Sequence, residues 1–193
     1  MVKQNKTAHL VVDMLYDFID GSMACHNSQN AVNKSIEFIN NNPGQPVFYI
    51  TDSHPASHCS FKENGGIWPA HCVKGTKGQE IHEKYYKSVI EVAQRPRQNN
   101  TLKKGEDPTF EQYSGFEAVL PTGQTLESIL RENSNGEIYI SGIATEYCIN
   151  ATATDLKNAG FKVTLIKDAL AYVDYNGHLK ALEGLKKSGI NVV

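Results

Sequence analysis

The sequence predicts a single three-layer α/β/α domain built on a mostly parallel sheet, and three observations carry that prediction. Short apolar runs recur along the chain, they are continuous rather than alternating, and helical patterns separate them. Continuous apolar runs belong to strands covered on both faces, and strand–helix alternation gives parallel pairing. At 193 residues and 40% hydrophobic content, the chain is long enough for one well-buried core and too short for two independent ones. The domain is expected to span 1–193.

Strands are expected at 9–12, 46–51, 137–140, 162–166 and 190–193. A short mixed strand ends in Leu102-Lys103-Lys104-Gly105. Amphipathic helices are expected at 31–41, with Val32, Ile36 and Ile39 on one face, and at 124–133, 149–159 and 178–187. The stretch 53–123 is loop-rich, with many Gly, Pro, His and aromatic residues. A loop that long in a compact domain is expected to build a site.

Composition excludes several functions. A net charge of -2, a pI near 6.4 and no basic block argue against nucleic acid or an anionic membrane as principal partner. A small neutral ligand fits better. Cys25, Cys59, Cys72 and Cys148 are scattered singly without a C-x-x-C pair, and Met1-Val2-Lys3-Gln4-Asn5 is not an apolar signal stretch. Both point to a reducing, cytoplasmic compartment. No apolar run approaches the ~20 residues that span a bilayer. Neither G-x-G-x-x-G nor G-x-x-x-x-G-K-[ST] occurs, which disfavours nucleotide binding of those kinds.

In open α/β sheets, ligands sit beyond the carboxyl ends of the strands. The run Ser141-Gly142-Ile143-Ala144-Thr145-Glu146-Tyr147-Cys148 leads from a strand into a helix and delivers a cysteine at the first turn. With Thr145 as cap, Cys148 falls near the third helical position. Free N–H groups and the helix dipole there favour thiolate over thiol. A free cysteine is also commonly a small buried core residue, and the segment alone leaves both readings open. Asp13 ends the first strand, where an acid serves chemistry or caps a loop. Asp52 and His54 follow the second strand and, at period two, point the same way. With His71 they offer two imidazoles and a carboxylate to a divalent transition metal, or they are a hydrogen-bonded loop. Lys104 is a solvated charge unless the fold buries it. A four-ligand zinc site from His58-Cys59 and His71-Cys72 is disfavoured, since adjacent residues in extended chain point apart.

Taken in order, Val12-Asp13-Met14-Leu15-Tyr16-Asp17-Phe18, Asp52-Ser53-His54-Pro55, Gly66-Ile67-Trp68-Pro69-Ala70-His71-Cys72-Val73, Lys104-Gly105, Tyr113-Ser114-Gly115-Phe116 and Gly142 to Cys148 form a joint pattern. On it, the chain resembles the nicotinamidase/pyrazinamidase branch of the isochorismatase-like cysteine hydrolases over nearly its whole length. The resemblance implies a Rossmann-like sheet and a catalytic triad of Asp13, Lys104 and Cys148. It implies an oxyanion hole from the N–H groups of Ala144 and Cys148, with the Ile143-Ala144 bond cis. Phe18, Trp68, Tyr113 and Tyr147 would line a slot for a flat ring, although aromatics are also ordinary core.

The implied cofactor is one divalent transition metal on Asp52, His54 and His71, zinc first, with iron or manganese as alternatives. His58 and Glu63 stand where some relatives supply a further ligand. The implied activity is deamidation of nicotinamide to nicotinate and ammonia in NAD salvage, with pyrazinamide as a second substrate. The partner is then a small molecule, and a homo-oligomer is compatible with the sequence. Rival readings are a sister cysteine hydrolase acting on a ureido or carbamoyl compound, and a catalytically silent small-ligand or metal-binding protein on the same scaffold. Cys148 at the nucleophile position argues against a true isochorismatase. Two features depart from the pattern. Leu15 replaces the family's usual glutamine near Asp13, and the segment 86–100 matches no motif, leaving a surface or subunit contact as its expected role.

Overall fold

Six parallel strands form one sheet in the order β3-β2-β1-β4-β5-β6. They are β1 (Ala8–Val12), β2 (Val47–Asp52), β3 (Thr101–Lys104), β4 (Glu137–Gly142), β5 (Lys162–Leu170) and β6 (Asn191–Val192). The structure, a computed structural model, describes residues 7–193, so the N-terminal Met1 to Asn5 reading lies outside the described residues. Every residue of β1 and β2 is buried, as continuous apolar runs require of strands covered on both faces. β1 pairs with both β2 and β4, and the chain winds outward in opposite directions from that point. The crevice between the carboxyl ends of β1 and β4 is therefore the natural ligand site.

Helices cover both faces. α1 (Tyr16–Ile19), α2 (Ser28–Asn40) and α3 (Lys84–Lys87) lie on one side, where Ile19, Val32, Ile36 and Tyr85 pack with Val11 and Tyr49. α4 (Leu126–Asn133), α5 (Asn150–Asn158) and α6 (Tyr175–Lys187) lie on the other, where Leu130, Leu156 and Leu182 pack with Leu10, Ile140 and Leu165. Thr125 caps α4 by accepting the Ser128 N–H at 3.3 Å, and Asp174 caps α6 by accepting that of Gly177 at 2.6 Å. The Asp174 cap explains why α6 begins three residues before the expected 178. Among the described residues, no helix is long and apolar enough to cross a membrane.

The 53–123 stretch is more ordered than its composition suggests. It holds three 3-10 turns (Lys62–Asn64, Lys77–Gln79 and Val92–Gln94), α3, and β3, an edge strand of the sheet. The segment 86–100 straps the amino end of β2. The Gln94 amide donates to the carbonyls of Asn42 and Gln45 at 2.9 Å each, Asn100 donates to that of Val47 at 3.1 Å, and the Tyr49 hydroxyl donates to Gln94 at 2.8 Å. Leu15 is fully buried in the α1–α2 core and bridges to Ile81, so its side chain serves packing.

A buried polar chain ties the layers together. His9 Nε2 lies 2.8 Å from Ser141 Oγ, which lies 2.8 Å from Ser35 Oγ on α2. Burial pushes the His9 imidazole down to about 3. The unfolded chain takes up this proton near pH 6.5 and the folded chain only near 3, so the His9 contribution to stability is lost as pH falls through that window. The expected loss at pH 5 is about 2 kcal/mol. Urea unfolding of the parent and His9→Asn at pH 7.5 and pH 5 checks this, and equal pH slopes in the two proteins would refute it.

Candidate active site

The site is assembled from the carboxyl ends of four strands. Asp13 follows β1 with a left-handed φ of 52°, a conformation that short polar side chains tolerate, and it is fully buried. Its Oδ1 accepts the N–H of Asp52 at 3.0 Å, locking the ends of β1 and β2 together. Its Oδ2 lies 3.1 Å from Lys104 Nζ and accepts no well-aligned hydrogen bond. Lys104, the last residue of β3, is buried and reaches inward. Its ammonium contacts Asp52 Oδ1, donates to the Gln112 carbonyl at 3.3 Å and lies 3.5 Å from Cys148 Sγ. Asp13, Asp52 and Cys148 present ligand atoms within 4.8 Å of one another, and Lys104 is the cation of that cluster.

The electrostatics follow from burial. Desolvation raises the Asp13 carboxyl to about 6, helped by Asp52 and opposed by Lys104. Burial also acts to raise Asp52, but the Lys104 ammonium and the His54 imidazole overcome it and hold that carboxyl well below the usual range. Burial pushes the Cys148 thiol well up, against the lowering effect of Lys104, and the Asp13 and Asp52 carboxylates add to the rise. This corrects the expectation of a thiolate favoured by the helix end. The resting group is a neutral thiol beside a carboxylate whose affinity for a proton has been raised.

Thr145 is not the cap of the Cys148 helix. The first turn is a π turn (Thr145–Ile149) whose cap position is Ala144, with no side-chain cap. The Thr145 hydroxyl instead donates to the Ala171 carbonyl at 3.0 Å and accepts from His178 Nδ1 at 2.9 Å. Cys148 is therefore the fourth residue of the helical run. The Ile143-Ala144 bond is cis, and Ala144 and Cys148 line the same pocket.

Beside this cluster, Asp52, His54 and His71 present ligand atoms within 4.8 Å of one another, all on buried residues. His54 Nδ1 faces the Gly105 carbonyl at 2.8 Å and His71 Nδ1 faces that of Pro69 at 2.8 Å. A nitrogen that faces a carbonyl carries the proton, so each Nε2 presents its lone pair to the site. His54 Nε2 is buried without a hydrogen-bond partner, with Asp52 Oδ2 at 3.6 Å. A divalent transition metal fits this donor set. Gly105, at φ 71°, is required here because a Cβ would lie 2.4 Å from the His54 ring.

The His58 ring lies against that of His54 at a tilt of 36° with centroids 4.1 Å apart, but its nitrogens are engaged by Ser60 Oγ at 2.7 Å and the Phe110 carbonyl at 3.1 Å. Glu63 is exposed on its 3-10 turn. Neither joins the ligand cluster. Among the described residues, no cluster of potential ligands includes Cys59 or Cys72.

The pocket encloses about 410 Å³ including its mouth, and Cys148, Ala144, Asp52 and His71 all line it. All four predicted aromatics line it. Trp68 Nε1 donates to the Tyr113 hydroxyl at 3.1 Å, Trp68 meets Tyr147 edge-on at 5.2 Å, and Phe18 lies 5.5 Å from the His71 ring. The sequence reading missed Met23, Cys25, Glu111 and Val173, which complete the wall. Burial and the Asp52 charge raise the Glu111 carboxyl. No periodicity or spacing marks these four, because only the tertiary fold brings their loops together.

Residues 7–193 match the isochorismatase domain model. The nicotinamidase/pyrazinamidase of Mycobacterium tuberculosis is 29% identical over 191 residues, covering 96% of this chain and 97% of that protein. The crystal structure of the Pyrococcus horikoshii pyrazinamidase in complex with zinc superposes with a TM-score of 0.83 at 36% identity, covering 97% of this chain and 98% of that one. PnC1 from L. infantum, in complex with nicotinate, superposes with a TM-score of 0.84 at 26% identity, covering 98% and 92% of the two chains. Sequence, sheet order and full-length coverage agree: the chain belongs to the isochorismatase family.

Proposed function

We propose that this protein is an amidohydrolase that converts nicotinamide to nicotinate and ammonia, and pyrazinamide to pyrazinoate, through a thioester on Cys148. The observation that carries the reading is a buried Asp13–Lys104–Cys148 cluster that shares Asp52 with a three-ligand metal site and opens into one aromatic-lined pocket. Asp13 takes the thiol proton as the sulfur attacks the carboxamide carbon. Lys104 keeps the carboxylate and the sulfur within reach of one cation throughout. The N–H groups of Ala144 and Cys148 receive the oxyanion. Asp13 returns its proton to the departing nitrogen, which leaves as ammonia. Water then loses a proton to Asp13 and attacks the thioester, and the sulfur departs, recovers the proton and frees the acid.

Asp52, His54 and His71 would hold one divalent metal, with zinc the first candidate and iron or manganese the alternatives. When bound, it supplies a Lewis-acidic position for the ring nitrogen. Trp68, Tyr113 and Tyr147 would keep the ring flat, with Phe18 against His71. The supporting relatives are a pyrazinamidase with zinc and a protein with nicotinate.

Ammonia release from nicotinamide, measured on zinc-loaded parent, Cys148→Ala and chelator-treated samples, tests the reading. The expected result is turnover in the parent, none above background in the variant, and a reduced rate after chelation. Folded, metal-loaded parent that releases no ammonia would sink the nicotinamide assignment.

A further inference from the structure

Asp17 takes no part in the chemistry above, yet its carboxylate is fully committed. Oδ2 accepts the N–H of Cys72 at 2.7 Å and Oδ1 accepts that of Ser22 at 3.2 Å. Cys72 follows His71 directly and has a left-handed φ of 47°, which a side chain adopts only when its surroundings impose it. On its other side, the Cys72 carbonyl accepts the N–H of His54 at 3.0 Å. The backbone of one residue, Cys72, thus ties the chain after His71 to the chain at His54, and Asp17 anchors its N–H. Ser22, held by the same carboxylate, donates its hydroxyl to Ala70 at 2.8 Å, just before His71.

A second observation is independent of these bonds. A Cβ on Gly78 would lie 1.9 Å from Asp17 Oδ2, and its three nearest atoms would all belong to that carboxyl group. The Lys77–Gln79 turn therefore closes directly over the Asp17 carboxylate, and glycine is the residue that leaves it in place.

We propose that Asp17 is a positioning residue for the metal site, pinning the Cys72 peptide and so setting His71 against His54. The inference rests on the metal-site reading above. Asp17 touches neither metal nor substrate and acts through backbone, as outer hydrogen-bonding partners of metal ligands do. The run Asp13 to Phe18 then unites the proton acceptor, the pin of the histidine arm and the ring that packs on His71.

The test is zinc affinity by competition with a chromophoric chelator, alongside iodoacetamide alkylation of Cys148 in metal-free protein. Asp17→Asn keeps one acceptor oxygen and turns the other into an NH2 donor, so the N–H groups of Cys72 and Ser22 can no longer both be accepted. It is expected to weaken zinc binding about 10–100-fold while the alkylation rate stays within about twofold of the parent. Gly78→Ala is expected to do the same, and adding it to Asp17→Asn is expected to cost little more, because both act on one carboxylate. Parent-level zinc affinity in folded Asp17→Asn would overturn the proposal, as would zinc affinity and thiol reactivity collapsing together. If Asp17→Asn does not fold, unchanged affinity in Gly78→Ala overturns it. A parent that binds no zinc sinks the metal reading itself, which separates the two failures without using any substrate.

Discussion

Lys104→Met is expected to lower turnover of nicotinamide by about 10²–10³-fold, the scale on which one preorganised charge acts in a closed site. Methionine roughly conserves the stem and removes only the ammonium. What remains is two buried carboxylates and a thiol with no cation among them. Removing one partner from a buried ion pair costs about 3–5 kcal/mol because the other stays behind uncompensated. The parent already holds Asp13 up at about 6 despite the ammonium, and without it that carboxyl moves higher still. At neutral pH Asp13 then keeps a proton and cannot take the one on Cys148.

The stability cost has a definite pH sign. A carboxyl raised in the folded state is charged in the unfolded chain at lower pH, so stability falls as pH rises from the unfolded value toward the folded one. The Lys104→Met deficit is therefore expected to be smaller at pH 5, where Asp13 is largely protonated in both proteins, than at pH 8. Urea unfolding of chelated samples at the two pH values, with ammonia release from loaded ones, measures both effects. A pH-independent deficit, or near-parent turnover, would show that the ammonium is not the cation of this cluster.

The fold was legible because the strands of a doubly covered sheet are written as continuous apolar runs. β1, β2, β4 and β5 lie within a few residues of expectation for that reason, and α2, α4 and α6 for their helical spacing. Strand ends then pointed to Asp13, Asp52 and Lys104, since position at a carboxyl edge follows directly from topology. What pattern alone could not carry was environment. Nothing local says that Thr145 turns to Ala171, or that burial and two carboxylates outweigh a helix end at Cys148. Likewise, Gln94 and Asn100 match no motif because they strap β2 through carbonyls that any residue could offer. Asp17 sat unread within its motif for the same reason, its partner being a peptide N–H 55 residues away.

Asp13→Asn separates the roles of charge and base at this site, because the two predict opposite signs. Asparagine tolerates the left-handed backbone of position 13, and its oxygen can still accept the Asp52 N–H. The negative charge of Asp13 is part of what holds the Cys148 thiol up. Removing it eases ionisation, so alkylation of Cys148 by iodoacetamide at pH 7.5 is expected to speed up in the variant. Turnover is expected to fall by about 10²–10⁴-fold, because the amide nitrogen leaves only when protonated and the thioester needs a base for water. The rise of kcat/KM with pH through about 6, expected of the parent from the Asp13 carboxyl, should vanish from whatever activity remains. Faster alkylation with collapsed turnover identifies Asp13 as proton carrier rather than thiol activator. Alkylation and turnover falling together would mean that Asp13 serves chiefly to create the thiolate, and the proton route drawn here would be wrong.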